Sequence, residues 1–334
     1  MEKKQNFECR IKDFTDSIGN MFYVYHRTDI WFRFSIFAYE SGFNSLKVWG
    51  KMLIASYQRE YEKTIEKIQI TFFTEENKVN EWHEKATRIY RSRDNQVKSL
   101  SDERVDTFFG CALCNYIVLA HFCIITPDSC GLCGSINWFN AKASFELDPS
   151  GPIFFIRKEK CIDTIRGEWS GINEIIKART LGEIERIHLY TILSPFNHTS
   201  CHCIEAIAFY MPEVDGIGIV DRNFKGPAIN GLPFSTMSSI IRKGTQCEGF
   251  VGTAIGHMRS PKFLQADGGW DKIVWTTNQV KDRIKDDIPI EIVNKIATES
   301  DSANIMELKD FLILNNHPIV KKWTEEIYNS NLEE

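Results

Sequence analysis

Ten cysteines occur in the 334-residue chain, and eight of them fall between Cys111 and Cys203. The first group reads Phe108-Phe-Gly-Cys111-Ala-Leu-Cys114, then Cys123, then Ser129-Cys130-Gly-Leu-Cys133-Gly134. A Cys-x-x-Cys pair on a tight turn puts two thiolates within reach of one metal or cluster, and the later cysteines complete a four-sulfur shell. Such a shell suits a [4Fe-4S] cluster and structural zinc equally well, with plain buried cysteines as a third reading. The second group is Cys201-His202-Cys203. Two thiolates and the deprotonated backbone amides of His202 and Cys203 would form a planar, strongly donating chelate, which suits nickel(II) or copper(II) and not zinc. Taken alone, Cys-x-Cys is more ordinarily a pair of core or zinc-binding cysteines.

These groups need elements to hold them. Helical spacing runs through residues 44–67 and 75–98, the second helix capped near Thr74 and Glu76, with an alternating strand from Ile68 to Phe73 between them. After Asp106 the texture changes to short strands separated by Gly and Pro: Ile153 to Ile156, Arg186 to Leu193 and Gly216 to Val220. Helical periodicity returns from Pro289 to Phe311. The fold expected is α+β: an irregular mixed-sheet domain over residues 106–334 carrying the cysteines, preceded by a small α/β N-terminal domain over residues 1–105.

Composition narrows the function. The chain is 43% hydrophobic and 25% charged, a globular profile. Its 40 Lys plus Arg against 45 Asp plus Glu give a net charge of −5, so no nucleic-acid partner is expected. The apolar run from Tyr116 to Ile125 has about half of the roughly 20 residues that cross a bilayer, so no membrane span is expected. Met1 to Asn6 shows no secretory pattern, so a cytoplasmic location is expected, and metal or redox chemistry is then a better reading of the cysteines than disulfides.

Longer stretches carry a specific likeness. Phe108 to Phe139, Gly151-Pro-Ile-Phe154, Gly171-Ile-Asn-Glu174, the run from His198 to Tyr210, Pro212 to Val220, Arg222 to Gly226, Gly231-Leu-Pro-Phe234 and Met258 to Trp270 resemble the catalytic domain of acetyl-CoA synthase, the nickel and iron–sulfur enzyme that partners CO dehydrogenase. The resemblance implies that Cys111, Cys114, Cys123 and Cys133 hold a [4Fe-4S] cluster, with Cys130 a bystander. It implies two nickel ions. Cys114 would bridge to a proximal nickel, and Cys201 and Cys203 would bind that nickel while chelating a distal one, completed by the backbone nitrogens of His202 and Cys203. Cys114, Cys201 and Cys203 would then be the catalytic ligands. Residues 106–334 would be the catalytic domain, and residues 1–105 a truncated, CoA-side N-terminal portion. The implied reaction condenses a methyl group from a corrinoid iron–sulfur protein, CO and CoA into acetyl-CoA. The family's large domain for docking CO dehydrogenase is expected to be absent.

The sequence departs from the family at His202, where the family has glycine, and at Ile117, where it usually has phenylalanine. The amide nitrogen survives the first change, and the second keeps an apolar lid of different shape. Two alternatives stay open: a related nickel enzyme for another acyl or alkyl transfer, and a non-catalytic nickel and iron–sulfur redox or carrier protein. Gly226 to Gly231 has phosphate-loop spacing but lacks the following Lys-Ser/Thr, so it reads as a turn. His121 reads as a core histidine, and His198 as either a turn-stabilising residue or a neighbour of the nickel pair. Arg91, Arg93, Arg259 and Lys262 are candidates for CoA phosphates, against a solvated-surface reading.

Overall fold

The computed structural model describes residues 40–42, 45–61, 75–112, 121–134, 136–201 and 204–323. Cys114, Ile117, His202, Cys203 and the strand expected from Ile68 to Phe73 lie outside them. The described residues include two long helices ahead of the sheets, α1 (Leu46–Tyr61) and α2 (Glu76–Val97). Glu75 occupies the N-cap of α2 in an extended conformation and gives no side-chain cap. The far end of α2 is fastened to the rest of the chain by charge. Asp94 lies 3.1 Å from the Arg259 guanidinium, with both side chains largely buried, and Lys98 lies 2.6 Å from Asp287.

The chain then forms β1 (Thr107–Cys111) and β2 (Cys123–Ile125), followed by α3 (Trp138–Leu147) and β3 (Ile153–Arg157). Sheet order is β2-β1-β3, antiparallel throughout. The start of α3 has a reciprocal cap: the Asn137 side chain accepts from the Asn140 N–H and the Asn140 side chain accepts from the Asn137 N–H. A small hairpin, β4 (Cys161–Asp163) with β5 (Glu168–Trp169), leads into α4 (Ser170–Arg179).

A second sheet has the order β8-β6-β7-β9, from β6 (Ala206–Met211), β7 (Gly216–Asp221), β8 (Phe250–Thr253) and β9 (Ile273–Thr276). Its β7–β9 pair is parallel and the others antiparallel, so the sheet is mixed. Helix α5 (Phe234–Ile241) precedes β8, α6 (Ile255–Met258) follows it, and α7 (Asn278–Ile284), α8 (Ile290–Val293) and α9 (Ile305–Leu314) come after β9. Successive side chains in a strand point to opposite faces. On β6, Ile207, Phe209 and Met211 join the core that includes Phe108, Phe122 and Trp275, whereas Ala206 and Ala208 join a second core with Val280, Ile284 and Ile292. This sheet is therefore buried on both faces, which explains its near-continuous apolar strands.

The α+β class and mixed sheet agree with the sequence, as do the strands at Ile153 and Gly216. Two expectations fail. Arg186 to Leu193 forms no strand beyond an isolated bridge between His188 and Asn197. Its backbone groups are taken by irregular partners: Tyr190 N–H donates to Arg166 O at 3.0 Å, Ile192 N–H to Asp267 Oδ2 at 2.7 Å, and Leu193 N–H to Thr191 Oγ1 at 3.1 Å. Pro289 to Phe311 is also not one helix. Between α8 and α9, the Asp301 carboxylate accepts from both the N–H and hydroxyl of Thr298, making a turn that interrupts the helical period.

Candidate metal centre

The register of β1 against β2 places Cys111 directly opposite Cys123. Directly opposed residues have Cβ atoms about 4.5–5.5 Å apart, so one backbone pairing brings two thiols together. Both side chains are buried. Beside them, Gly110 pairs with Phe154 of β3, and a Cβ built on Gly110 would lie only 2.0 Å from the Phe154 ring. The missing side chain lets that ring cover the strand next to Cys111. Phe154, aligned with Gly110, projects from the face of the sheet opposite to Cys111 and Cys123, and Phe122 meets it there edge-on at 5.3 Å.

Cys133 sits on a tight turn. Gly134 adopts φ 69° and its N–H donates to Gly131 O at 2.7 Å, while Gly131 N–H donates to Ile136 O at 2.8 Å. Cys133 is partly exposed and Cys130 is buried. The Cys130 sulfur faces Gly256, where a Cβ would approach it to 3.1 Å.

Cys201 is 1% exposed at the end of a buried loop. Three bonds lace that loop and its continuation to the first cysteine stretch. Thr199 Oγ1 lies 2.8 Å from His121 Nδ1, Ile124 N–H donates to His198 Nε2 at 3.2 Å, and Glu205 N–H donates to Leu132 O at 3.0 Å. The loop also rests on β8, where Gly252 N–H donates to Ser200 Oγ at 2.8 Å. Close approach requires glycine there: a Cβ on Gly252 would lie 2.3 Å from the Ile204 side chain. Segments about 70 residues apart in sequence are thus held against one another, with Cys111, Cys123 and Cys133 on one and Cys201 on the other.

His121 has a second contact, its Nε2 being 3.6 Å from Cys123 Sγ. Sequence reasoning placed this residue in the core, where it is, but missed that it faces a candidate ligand. The one local signal is its position two residues before Cys123, on the same side of an extended chain. Burial, with a smaller contribution from neighbouring His198, pushes His121 down to about 3. Burial also lowers His198, partly offset by the Thr199 carbonyl that accepts from its Nδ1–H at 2.5 Å. Both imidazoles are neutral at neutral pH. His198 therefore has a defined tautomer, with Nδ1–H donating and Nε2 accepting.

Among the described residues, no three His, Cys, Asp or Glu side chains converge closely enough to hold a metal ion. Three of the seven expected ligands, Cys114, His202 and Cys203, lie outside those residues. The other four offer soft sulfur donors, with Cys111, Cys123 and Cys201 buried and Cys133 partly exposed, a set that fits thiophilic metals. Neutral His121 supplies a ring nitrogen to the Cys123 sulfur, the kind of outer contact that orients a ligand.

Known proteins share this sequence closely. Residues 90–324 match the family described as the C-terminal part of the ACS/CODH beta subunit, and residues 2–79 match the CO dehydrogenase/acetyl-CoA synthase complex beta subunit. An acetyl-CoA decarbonylase/synthase complex subunit beta of Methanopyrus kandleri is 44% identical over 96% of this chain and 68% of its own length. The corresponding protein of Methanothermobacter thermautotrophicus is 40% identical over 96% of this chain and 69% of its own. A subunit beta 1 of Methanosarcina thermophila is 42% identical over 95% and 67% respectively.

Proposed function

Because the chain belongs to the beta-subunit family of the CO dehydrogenase/acetyl-CoA synthase complex, we propose that it forms acetyl-CoA from a methyl group, CO and CoA, and cleaves it in reverse. In this reading Cys111, Cys114, Cys123 and Cys133 hold a [4Fe-4S] cluster. Cys114, Cys201 and Cys203, with the backbone nitrogens of His202 and Cys203, hold two nickel ions. When bound, the nickel pair would supply a soft, electron-rich metal able to receive the methyl group and CO.

The observation that carries the proposal is the lacing of residues 121–133 to residues 198–205, made by His121 with Thr199, Ile124 with His198, and Leu132 with Glu205. Those contacts bring the cysteine stretch of the first sheet to the loop that carries Cys201. This chain's own residues do the rest of the positioning. Phe122 and Phe154 pack the far face of the sheet that carries the Cys111–Cys123 pair, Gly110 makes room for them, and His121 orients the Cys123 sulfur. A corrinoid iron–sulfur protein is the proposed methyl donor and CO dehydrogenase the proposed source of CO.

The test is anaerobic reconstitution of the full chain, followed by metal analysis and methyl uptake from methylcobalamin. The expected result is about four iron and about two nickel per chain, with uptake that depends on nickel. A nickel- and iron-loaded chain that takes up no methyl group under reduction would refute the proposal.

A further inference from the structure

Among the described strands, β8 lies at the edge of the second sheet, with β6 on its inner side. Edge strands present a row of backbone groups that no neighbouring strand takes. Tyr210 N–H donates to Gly249 O at 2.8 Å, and the alternation of an antiparallel pair then turns the backbone groups of Phe250 and Gly252 away from β6. Two of them, Phe250 O and the Gly252 N–H, are taken by side chains of the loop that leads to Cys201.

Asn197 is fully buried, and its carboxamide joins three stretches of chain. Its Nδ2 donates to Cys247 O at 2.7 Å, to Phe250 O at 3.2 Å and to Ile192 O at 3.3 Å, and its Oδ1 accepts from Cys247 N–H at 3.1 Å. Gln246 Nε2 donates to the backbone carbonyl of the same residue at 3.1 Å. Three residues on, buried Ser200 accepts from Gly252 N–H at 2.8 Å through Oγ. The loop is thus held to β8 by its side chains, where a further strand would be held by its backbone. Ala206 of β6 then pairs with Thr253 on the inner side of the same strand. The chain is fastened to both edges of β8, and Cys201 directly follows the outer fastening. Cys111 and Cys123 are held by the other sheet.

We propose that the outer edge of β8 is the platform that presents Cys201 to nickel, with Asn197 and Ser200 as its positioning residues. The proposal rests on the nickel reading above. A ligand already held in place loses little conformational freedom on binding, so a fixed loop captures the metal at lower cost and releases it more slowly. Asn197 and Ser200 act on the metal only through the loop. Because the platform and the Cys111–Cys123 pair belong to different sheets, loosening the platform releases nickel and spares iron.

Nickel loss from the reconstituted full chain to a chelator, followed beside iron content, tests this in Asn197→Ala, Ser200→Ala and Ile292→Val. The last trims a residue of the core on one face of the second sheet, away from this loop, and lowers stability by packing alone. Asn197→Ala and Ser200→Ala are expected to release nickel about tenfold faster than wild type at unchanged iron content, and Ile292→Val at the wild-type rate. In the metal-free chain, the amides of Ser200 and Cys201 should exchange hydrogen faster in Asn197→Ala while those of β6 stay protected. Wild-type release rates in both loop variants, loss of nickel and iron together, or equally fast release from Ile292→Val would overturn the proposal. Should Asn197→Ala fail to fold, Ser200→Ala decides by the same criteria. A wild-type chain that binds iron and no nickel would refute the nickel reading, and unchanged amide exchange in the metal-free variants would refute the platform independently of it.

Discussion

Gly110 and His121 show how single positions shape the centre. The Gly110 hydrogen leaves the space that the Phe154 ring fills, so Gly110→Ala must displace the ring or the strand. Overpacking of this kind costs about 1–3 kcal/mol, and iron retention should fall with it. Urea denaturation with iron analysis checks both, and an unchanged midpoint would contradict the packing argument. His121→Phe keeps a ring but removes both nitrogen contacts, leaving the buried Thr199 hydroxyl without this imidazole. A loss of about 1–3 kcal/mol is expected, read from the same urea midpoints. The Thr199 contact of His121 was not legible in the sequence, because that partner lies 78 residues away.

At the scale of elements, legibility follows how local the forces are. The strands at Ile153 and Gly216 are short apolar runs bounded by turn residues, and they form where the pattern puts them. Arg186 to Leu193 has the same texture, yet Asp267, from 75 residues further on, takes the Ile192 N–H that a strand would need. The break between α8 and α9 depends on one Thr298–Asp301 turn inside an otherwise helical period. Cysteine spacing pointed to metal ligation and the family resemblance named the candidate ligands, but neither could show which loops lie against one another. Glu205 joins three elements at the start of β6: its carboxylate accepts from Ile255 N–H at 2.9 Å and pairs with Arg283 on α7. Glu205→Ala leaves that guanidinium, 16% exposed, without this carboxylate, and a loss of about 3–5 kcal/mol is expected. A chemical denaturation midpoint equal to wild type would contradict it.

For the whole molecule, pH sets the stability through buried imidazoles. Burial holds His121 at about 3 and His257 and His317 at about 4, and also lowers His188 and His198. In the unfolded chain these groups titrate at about 6.5. Their contribution is fully present above that pH and is lost as pH falls toward the folded values, at up to about 1.4 kcal/mol per pH unit for each. Asp102 and Asp267, both raised by burial, act in the opposite sense as pH falls below about 7, but the histidines outnumber them. The metal-free chain should therefore be less stable at pH 5 than at pH 7. His317→Gln, which can keep the bonds to Ile273 O and Ile319 N–H, should flatten that slope. Urea midpoints at the two pH values check the sign.

Nickel X-ray absorption on the reconstituted full chain, compared with Cys201→Ser, tests the shared centre most directly. Wild type is expected to show nickel with sulfur neighbours and iron at bridging range, and the variant to lose nickel while keeping iron. Nickel without an iron neighbour, or a variant that keeps its nickel environment unchanged, would contradict a single centre built from both cysteine stretches.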